Sequence, residues 1–205
     1  MALFAARGLA CRRAGRLVFE ELEFALDAGE ALLLRGPNGS GKSSLLRLLA
    51  GLLPPAAGEL RWQGRPVATR DPDHRARLHF VGHLDAGKPN LTVRENLAFL
   101  AGLAGLGKLP ERALEGFGLA ALAEVPVRYL SAGQKRRLAL ARLEIAPRPL
   151  WLLDEPAVGL DATNRQRLER LIATHLGRGG LCVVATHGDV SLSGALVLDF
   201  GTAAP

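Results

Sequence analysis

The 205-residue sequence predicts an α/β domain with a mainly parallel sheet, on three observations. Residues 30–35 (EALLLR) are a short apolar run suited to a buried strand, residues 43–49 are Leu-rich and suited to a helix, and between them lies GPNGSGKS at 36–43. Residues 150–153 (LWLL) form a second apolar strand, which ends in Asp154 and Glu155. From there strand and helix patterns alternate to the end of the chain.

The elements follow in order. Between residues 3 and 35 short apolar runs (LVF, FAL, ALLL) alternate with turn signals at Ala14-Gly15 and Ala28-Gly29, predicting an antiparallel β portion near the N-terminus. Residues 51–65 read as a helix end, a loop and a further strand. Thr92, with Glu95 three residues on, opens a helix over 92–103 as a capping box. Short helices are expected over 111–117 and 119–123, and a longer amphipathic one over 131–145, stopped by Pro147 and Pro149. This stretch, roughly 84–149, reads as a helical subdomain inserted in a single domain spanning 1–205. After the acidic strand a helix is expected over 163–176, a strand over 181–186, and a last strand over 195–200 (ALVLDF). No internal repeat or low-complexity linker interrupts the order.

The loop at 36–43 fits GxxxxGK[ST], in which glycine-rich backbone turns successive N–H groups inward onto phosphates. Its place between strand and helix adds the helix N-terminal dipole to that cradle. Lys42 is expected to reach the β- and γ-phosphates of ATP, and the Ser43 hydroxyl to ligate Mg²⁺. Asp154 and Glu155 stand at the C-terminal edge of a strand, where open α/β sheets bind ligands. Phosphoryl transfer needs charge neutralisation and a positioned nucleophile, so Asp154 is assigned to Mg²⁺ and Glu155 to the attacking water.

Composition narrows the class. No segment reaches the 18 or so uninterrupted apolar residues of a membrane-spanning helix, and the start of the chain lacks the pattern of a secretory signal, so a cytoplasmic location is expected. Two cysteines, Cys11 and Cys182, make neither a disulfide framework nor a zinc site and are expected to be inert. The net charge of +6 comes from scattered short groups such as Arg12, Arg13 and Arg16 without interleaved aromatics. Nucleic acid is therefore not an expected partner, whereas an acidic membrane surface fits. His74, His79 and His175 read as polar turn or surface residues.

With LSAGQ at 130–134 and LLDEP at 152–156 added to the loop, the chain resembles the ATP-binding cassette family over essentially its full length. The resemblance implies that Gly36, Pro37, Asn38, Gly39, Ser40, Gly41, Lys42, Ser43 and Ser44 bind ATP. It also implies that Ser131, Ala132, Gly133 and Gln134 form a signature closing on the γ-phosphate held by a second copy, with Ala132 replacing a glycine. In the same way VGLD at 158–161 places Asp161 in the D-loop, and THGD makes His187 the switch histidine. One chain is then half of an ATP-sandwich homodimer.

Two departures matter. The family usually places Gln where His83 stands, so His83 is assigned as γ-phosphate sensor and Mg²⁺ contact. Imidazole titrates near physiological pH, so ATPase activity is expected to fall on acidification through that range, and a pH profile left unchanged by His83→Gln would sink the assignment. Arg13 stands where the family has an adenine-stacking aromatic; a guanidinium plane can stack on a base, and a plain surface charge is the other reading.

Gly82-His83, LSAGQKRRLALARL and RPLWLLDEP narrow the resemblance to the haem-exporter ATP-binding subunits of bacterial cytochrome c maturation. That subgroup implies a peripheral protein on the cytoplasmic side of the inner membrane, paired with integral membrane subunits of the maturation complex. The alternatives are an ATPase of another exporter, a soluble nucleic-acid-associated ATPase of the same family, or a nucleotide-binding module without turnover.

Overall fold

The computed structural model describes every residue except 1, 84–86, 188–189, 191 and 202–205. The chain packs as two compact units, one of residues 1–82, 148–155 and 172–205, the other of 83–147 and 156–171.

The first unit holds two sheets. Strands β1 (Phe4–Arg13), β2 (Arg16–Leu26), β4 (Ala57–Trp62) and β5 (Arg65–Val67) form an antiparallel sheet in the order β2-β1-β4-β5. The hairpin joining β1 to β2 turns at Ala14 and Gly15, where the turn signal lies. Strands β3 (Ala31–Arg35), β6 (Leu78–Val81), β7 (Leu150–Asp154), β8 (Leu181–Ala185) and β9 (Leu196–Asp199) form a parallel sheet in the order β6-β7-β8-β3-β9. Every residue of β7 and β8 is buried, as expected for central strands of a parallel sheet covered on both faces. Helix α1 (Lys42–Leu49) buries Leu45, Leu46, Leu48 and Leu49 in the same core as Phe4, Leu9 and Leu26 of the antiparallel sheet and Leu152 and Val183 of the parallel one.

Three elements here escape periodicity: β5, helix α2 (Pro72–Ala76) and β6. Each is too short for a repeat to register. The structure also corrects the reading of two histidines, His74 and His175. His74 lies in α2, is 1% exposed, sits 6.0 Å from the Phe4 ring in a stacked arrangement, and bonds through Nε2 to the Leu49 carbonyl at 2.7 Å. His175 stacks on Trp151 with centroids 3.8 Å apart, and His79 meets the same indole edge-on at 6.4 Å. His74 and His175 are packing residues because flat aromatic faces cover them, information that sequence spacing does not carry.

Burial lowers the pKa of His74 and of His175, more than their backbone hydrogen bonds raise it. A depressed folded-state pKa gives stability that is present above the unfolded value near 6.5 and is lost as pH falls through the folded value. The melting temperature is therefore expected to drop by a few °C between pH 7.5 and 5.5. In His74→Phe, compared by thermal unfolding at both pH values, that acid loss should shrink. Cys11 and Cys182 are both buried, and burial raises both thiol pKa values, which matches chemically quiet cysteines.

The second unit is helical. Helix α3 (Val93–Leu103) begins at the expected capping box: Glu95 N–H donates to Thr92 Oγ1 at 3.1 Å, and Thr92 N–H donates to Glu95 Oε2 at 2.8 Å. A short helix α4 (Arg112–Glu115) and a 3₁₀ turn (Ala120–Leu122) fall within the two short helices expected over 111–117 and 119–123. Helix α5 (Ala132–Ala141) packs against α3 and ends four residues early, tightening into a 3₁₀ turn (Arg142–Glu144). Arg112 Nε takes the Glu144 carbonyl at 2.7 Å, and Pro147 rules out further helix. Helix α6 (Ala162–Gly177) follows.

Candidate active site

The parallel sheet sets the site. Strands β7, β8 and β3 are neighbours, and from their C-terminal ends emerge Asp154 and Glu155, then His187, then the loop at 36–43. This is the edge at which open α/β sheets take ligands.

The loop leaves β3 at Arg35 and enters α1 at Lys42. Gly36, Gly39 and Gly41 have φ of 139°, 82° and 111°, backbone that disfavours any side chain. Space forbids one as well: a Cβ on Gly41 would lie 2.7 Å from Val18 Cγ1, and one on Gly36 would lie 2.8 Å from the Phe200 Cβ. The loop is thus pressed between β2 and the residue that follows β9, a support given by Val18 and Phe200 that the motif does not announce. Lys42 is buried, and its Nζ donates to the carbonyls of Gly36 at 2.7 Å and Pro37 at 2.9 Å. Ser40 Oγ is buried with no hydrogen-bond partner among the described residues.

Ser43 Oγ donates to Asp154 Oδ1 at 3.1 Å, pairing the first turn of α1 with the end of β7. Glu155 has φ 48°, a strained value for a residue with a side chain, and its N–H donates to the Ala185 carbonyl of β8 at 2.9 Å. His187 Nε2 lies 3.2 Å from Glu155 Oε1 and 2.6 Å from Asn38 Oδ1. Burial pushes the Glu155 carboxyl pKa up; His187 and Lys42 pull it back in part.

These groups fit a magnesium nucleotide. Ser43 Oγ and Asp154 Oδ1 are adjacent hard-oxygen donors, and Mg²⁺ typically takes one or two protein carboxylates and completes its shell with water and phosphate oxygens. A buried ammonium and a buried hydroxyl without a partner suit an anion in the loop.

The remaining expected residues lie elsewhere in the chain. Arg13 is exposed at the β1 end of the hairpin, paired in register with Arg16. His83 is exposed in the bend that follows β6 and begins the second unit. In that unit Ser131 caps α5, accepting from Gln134 N–H at 3.2 Å while Gln134 Oε1 accepts from Ser131 N–H at 2.8 Å. Ala132 is exposed at the first position of the helix, with room for its methyl group. Gly133 has no such room: a Cβ would come 2.8 Å from the carbonyl oxygen of Gly159. Gly133→Ala should therefore shift the segment around Gly159 and impair turnover, whereas Ala132→Gly should be nearly silent in a phosphate-release assay. Asp161 caps α6, accepting from Asn164 N–H at 2.8 Å, and that bond holds its pKa down. Arg136 Nε donates to the Pro156 carbonyl at 3.3 Å, tying α5 to the start of the same segment.

Taken together, sheet and loop define a P-loop nucleotide-binding protein. The family pattern described as ABC transporter matches residues 19–158. The chain is 58% identical to the cytochrome c biogenesis ATP-binding export protein CcmA of Rhodospirillum rubrum over all of its own length and 88% of that protein. It is 54% identical to the protein of the same name from Paramagnetospirillum magneticum, over 94% of this chain and 91% of that one. Among solved structures, an ATP-binding subunit of an ABC transporter superposes with a TM-score of 0.82 at 25% identity, covering 91% of this chain and 80% of that one. A putative ABC transporter ATP-binding protein from Pyrococcus furiosus has the same fold, with a TM-score of 0.81 over 96% of each chain. The chain belongs to the ABC transporter family as an ATP-hydrolysing, nucleotide-binding subunit.

Proposed function

We propose that this subunit powers haem export, or haem-chaperone release, in c-type cytochrome biogenesis, docked to integral membrane subunits on the cytoplasmic side of the inner membrane. The near full-length identity to export proteins named for cytochrome c biogenesis supports the pathway. Among the described residues no helix is long and apolar enough to cross a membrane, which leaves the membrane step to partners. The two units act as one ATP-binding domain over 1–205 with a helical subdomain around 84–149, and two copies sandwich two nucleotides.

The observation that carries the chemistry is the meeting of Lys42, Ser43, Asp154, Glu155 and His187 at one sheet edge. Mg²⁺, when bound, neutralises phosphate charge, with Ser43 and Asp154 as its protein contacts and His83 added from the bend after β6. The loop N–H groups of residues 36–44 hold the β- and γ-phosphates, and Lys42 moves its bonds from the loop carbonyls to phosphate oxygens. Glu155 accepts the hydrogen bond of the attacking water and takes its proton, and His187 holds Glu155 and the γ-phosphate in register. Ser131, Ala132, Gly133 and Gln134, with Asp161, complete the site of the second copy, and Arg13 stacks on adenine. Charge-assisted bonds across the sandwich exist only while the γ-phosphate bridges both halves, so hydrolysis favours opening.

The test is purification of the tagged chain from mildly solubilised membranes of its own host, with identification of co-eluting proteins and a haem absorption spectrum. Cytochrome c maturation membrane subunits in the eluate support the pathway. An unrelated permease, or nucleic acid without a membrane partner, overturns it and leaves the ATPase standing.

A further inference from the structure

We propose that the Asn38 side chain is a positioning group for His187: its carbonyl oxygen accepts from the ring N–H that also faces Glu155 and holds the ring beside that carboxylate. The inference rests on the reading of Glu155 and His187 as the hydrolytic pair, and it assigns Asn38 a task beyond lining the phosphate loop.

One imidazole nitrogen, Nε2, faces two groups at once, Asn38 Oδ1 at 2.6 Å and Glu155 Oε1 at 3.2 Å. A carboxylate only accepts, so the nitrogen beside it carries the proton. The Asn38 atom that faces the same N–H is then the carbonyl oxygen, not the amide nitrogen. The proton is shared between two acceptors, and the shorter bond goes to Asn38.

That bond, the shorter of the two at Nε2, restrains the rotation of the ring together with the Glu155 contact. The His187 backbone N–H already bonds to the Glu155 carboxylate, which fixes the main chain but leaves the ring free to rotate about its side-chain torsions. Packing does not lock the ring, since its side chain is 40% exposed, against 12% for Glu155. Asn38 itself follows Pro37, whose carbonyl is held by Lys42 Nζ at 2.9 Å. The ring is thereby aligned from the same loop that carries the phosphate-binding lysine.

A double-mutant cycle on the full chain in its membrane complex, at saturating ATP, tests the idea. Asn38→Ala is expected to lower kcat about tenfold with little change in KM, the scale of one lost orienting hydrogen bond. In a His187→Ala background the same substitution should cost nothing further, because its route is gone. Asn38→Asp keeps the acceptor and should recover most of the lost kcat, while its charge inside a phosphate loop raises KM. Nitrogen-15 spectra of the full chain should show His187 as the Nε2–H tautomer. Equal losses from Asn38→Ala in both backgrounds, or a wild-type Nδ1–H tautomer, would overturn the proposal. Wild-type kcat in His187→Ala would remove the hydrolytic role of His187 and take the proposal with it.

Discussion

Glu155→Gln is expected to lower kcat by about 10²–10⁴-fold, the usual share of a general base, while ATP affinity is retained. The amide keeps the size of the carboxylate and can still accept from His187 N–H, so the strained backbone at φ 48° and its bond to Ala185 should persist. What the amide cannot do is take the proton of the attacking water. Phosphate release by the membrane complex, set beside equilibrium binding of a fluorescent ATP analogue, separates the two effects. Equal loss of binding and turnover would assign Glu155 to architecture instead. The wild-type profile carries a second mark: burial raises the Glu155 pKa, so the base becomes protonated at a higher pH than an exposed glutamate would. The acid limb due to this residue should therefore lie at a higher pH than an exposed glutamate would give.

Lys42→Ala should weaken nucleotide binding by about 10- to 100-fold, the equivalent of one or more hydrogen bonds to a charged group. The loss has two origins. The phosphates lose their ammonium, and the carbonyls of Gly36 and Pro37 lose the donor now 2.7 and 2.9 Å away, which loosens the loop as well. Lys42→Arg should not restore affinity, because a planar guanidinium cannot replace a compact ammonium buried in a closed turn. Titration calorimetry with MgATP on the isolated chain measures both variants. Affinity unchanged in Lys42→Ala would place the lysine outside the phosphate site.

Much of this was legible in one dimension because the chemistry is local in the chain. Residues 36–43 hold loop, lysine and hydroxyl in eight positions, and the strand 150–154 delivers its acids at its own end. Both capping boxes could be read from residues three apart, since helix geometry brings Thr92 to Glu95 and Ser131 to Gln134 without help from the rest of the fold. The parallel sheet followed from apolar runs too uniform to face water. These are the features that the sequence by itself determined.

What only the tertiary structure decided involves partners far apart in number. His74 and His175 became packing residues because the Phe4 ring and the Trp151 indole cover them. Gly41 must be bare because Val18 of another sheet arrives there, and Gly133 because the Gly159 carbonyl does, while Ala132 beside it faces solvent. Asn38 meets His187 across 149 residues of chain. Periodicity and motif spacing report a residue's own helix or strand, whereas close packing and hydrogen-bond geometry depend on which distant atoms fold against it. That is why the nucleotide loop is visible in the letters and the support beneath it is not.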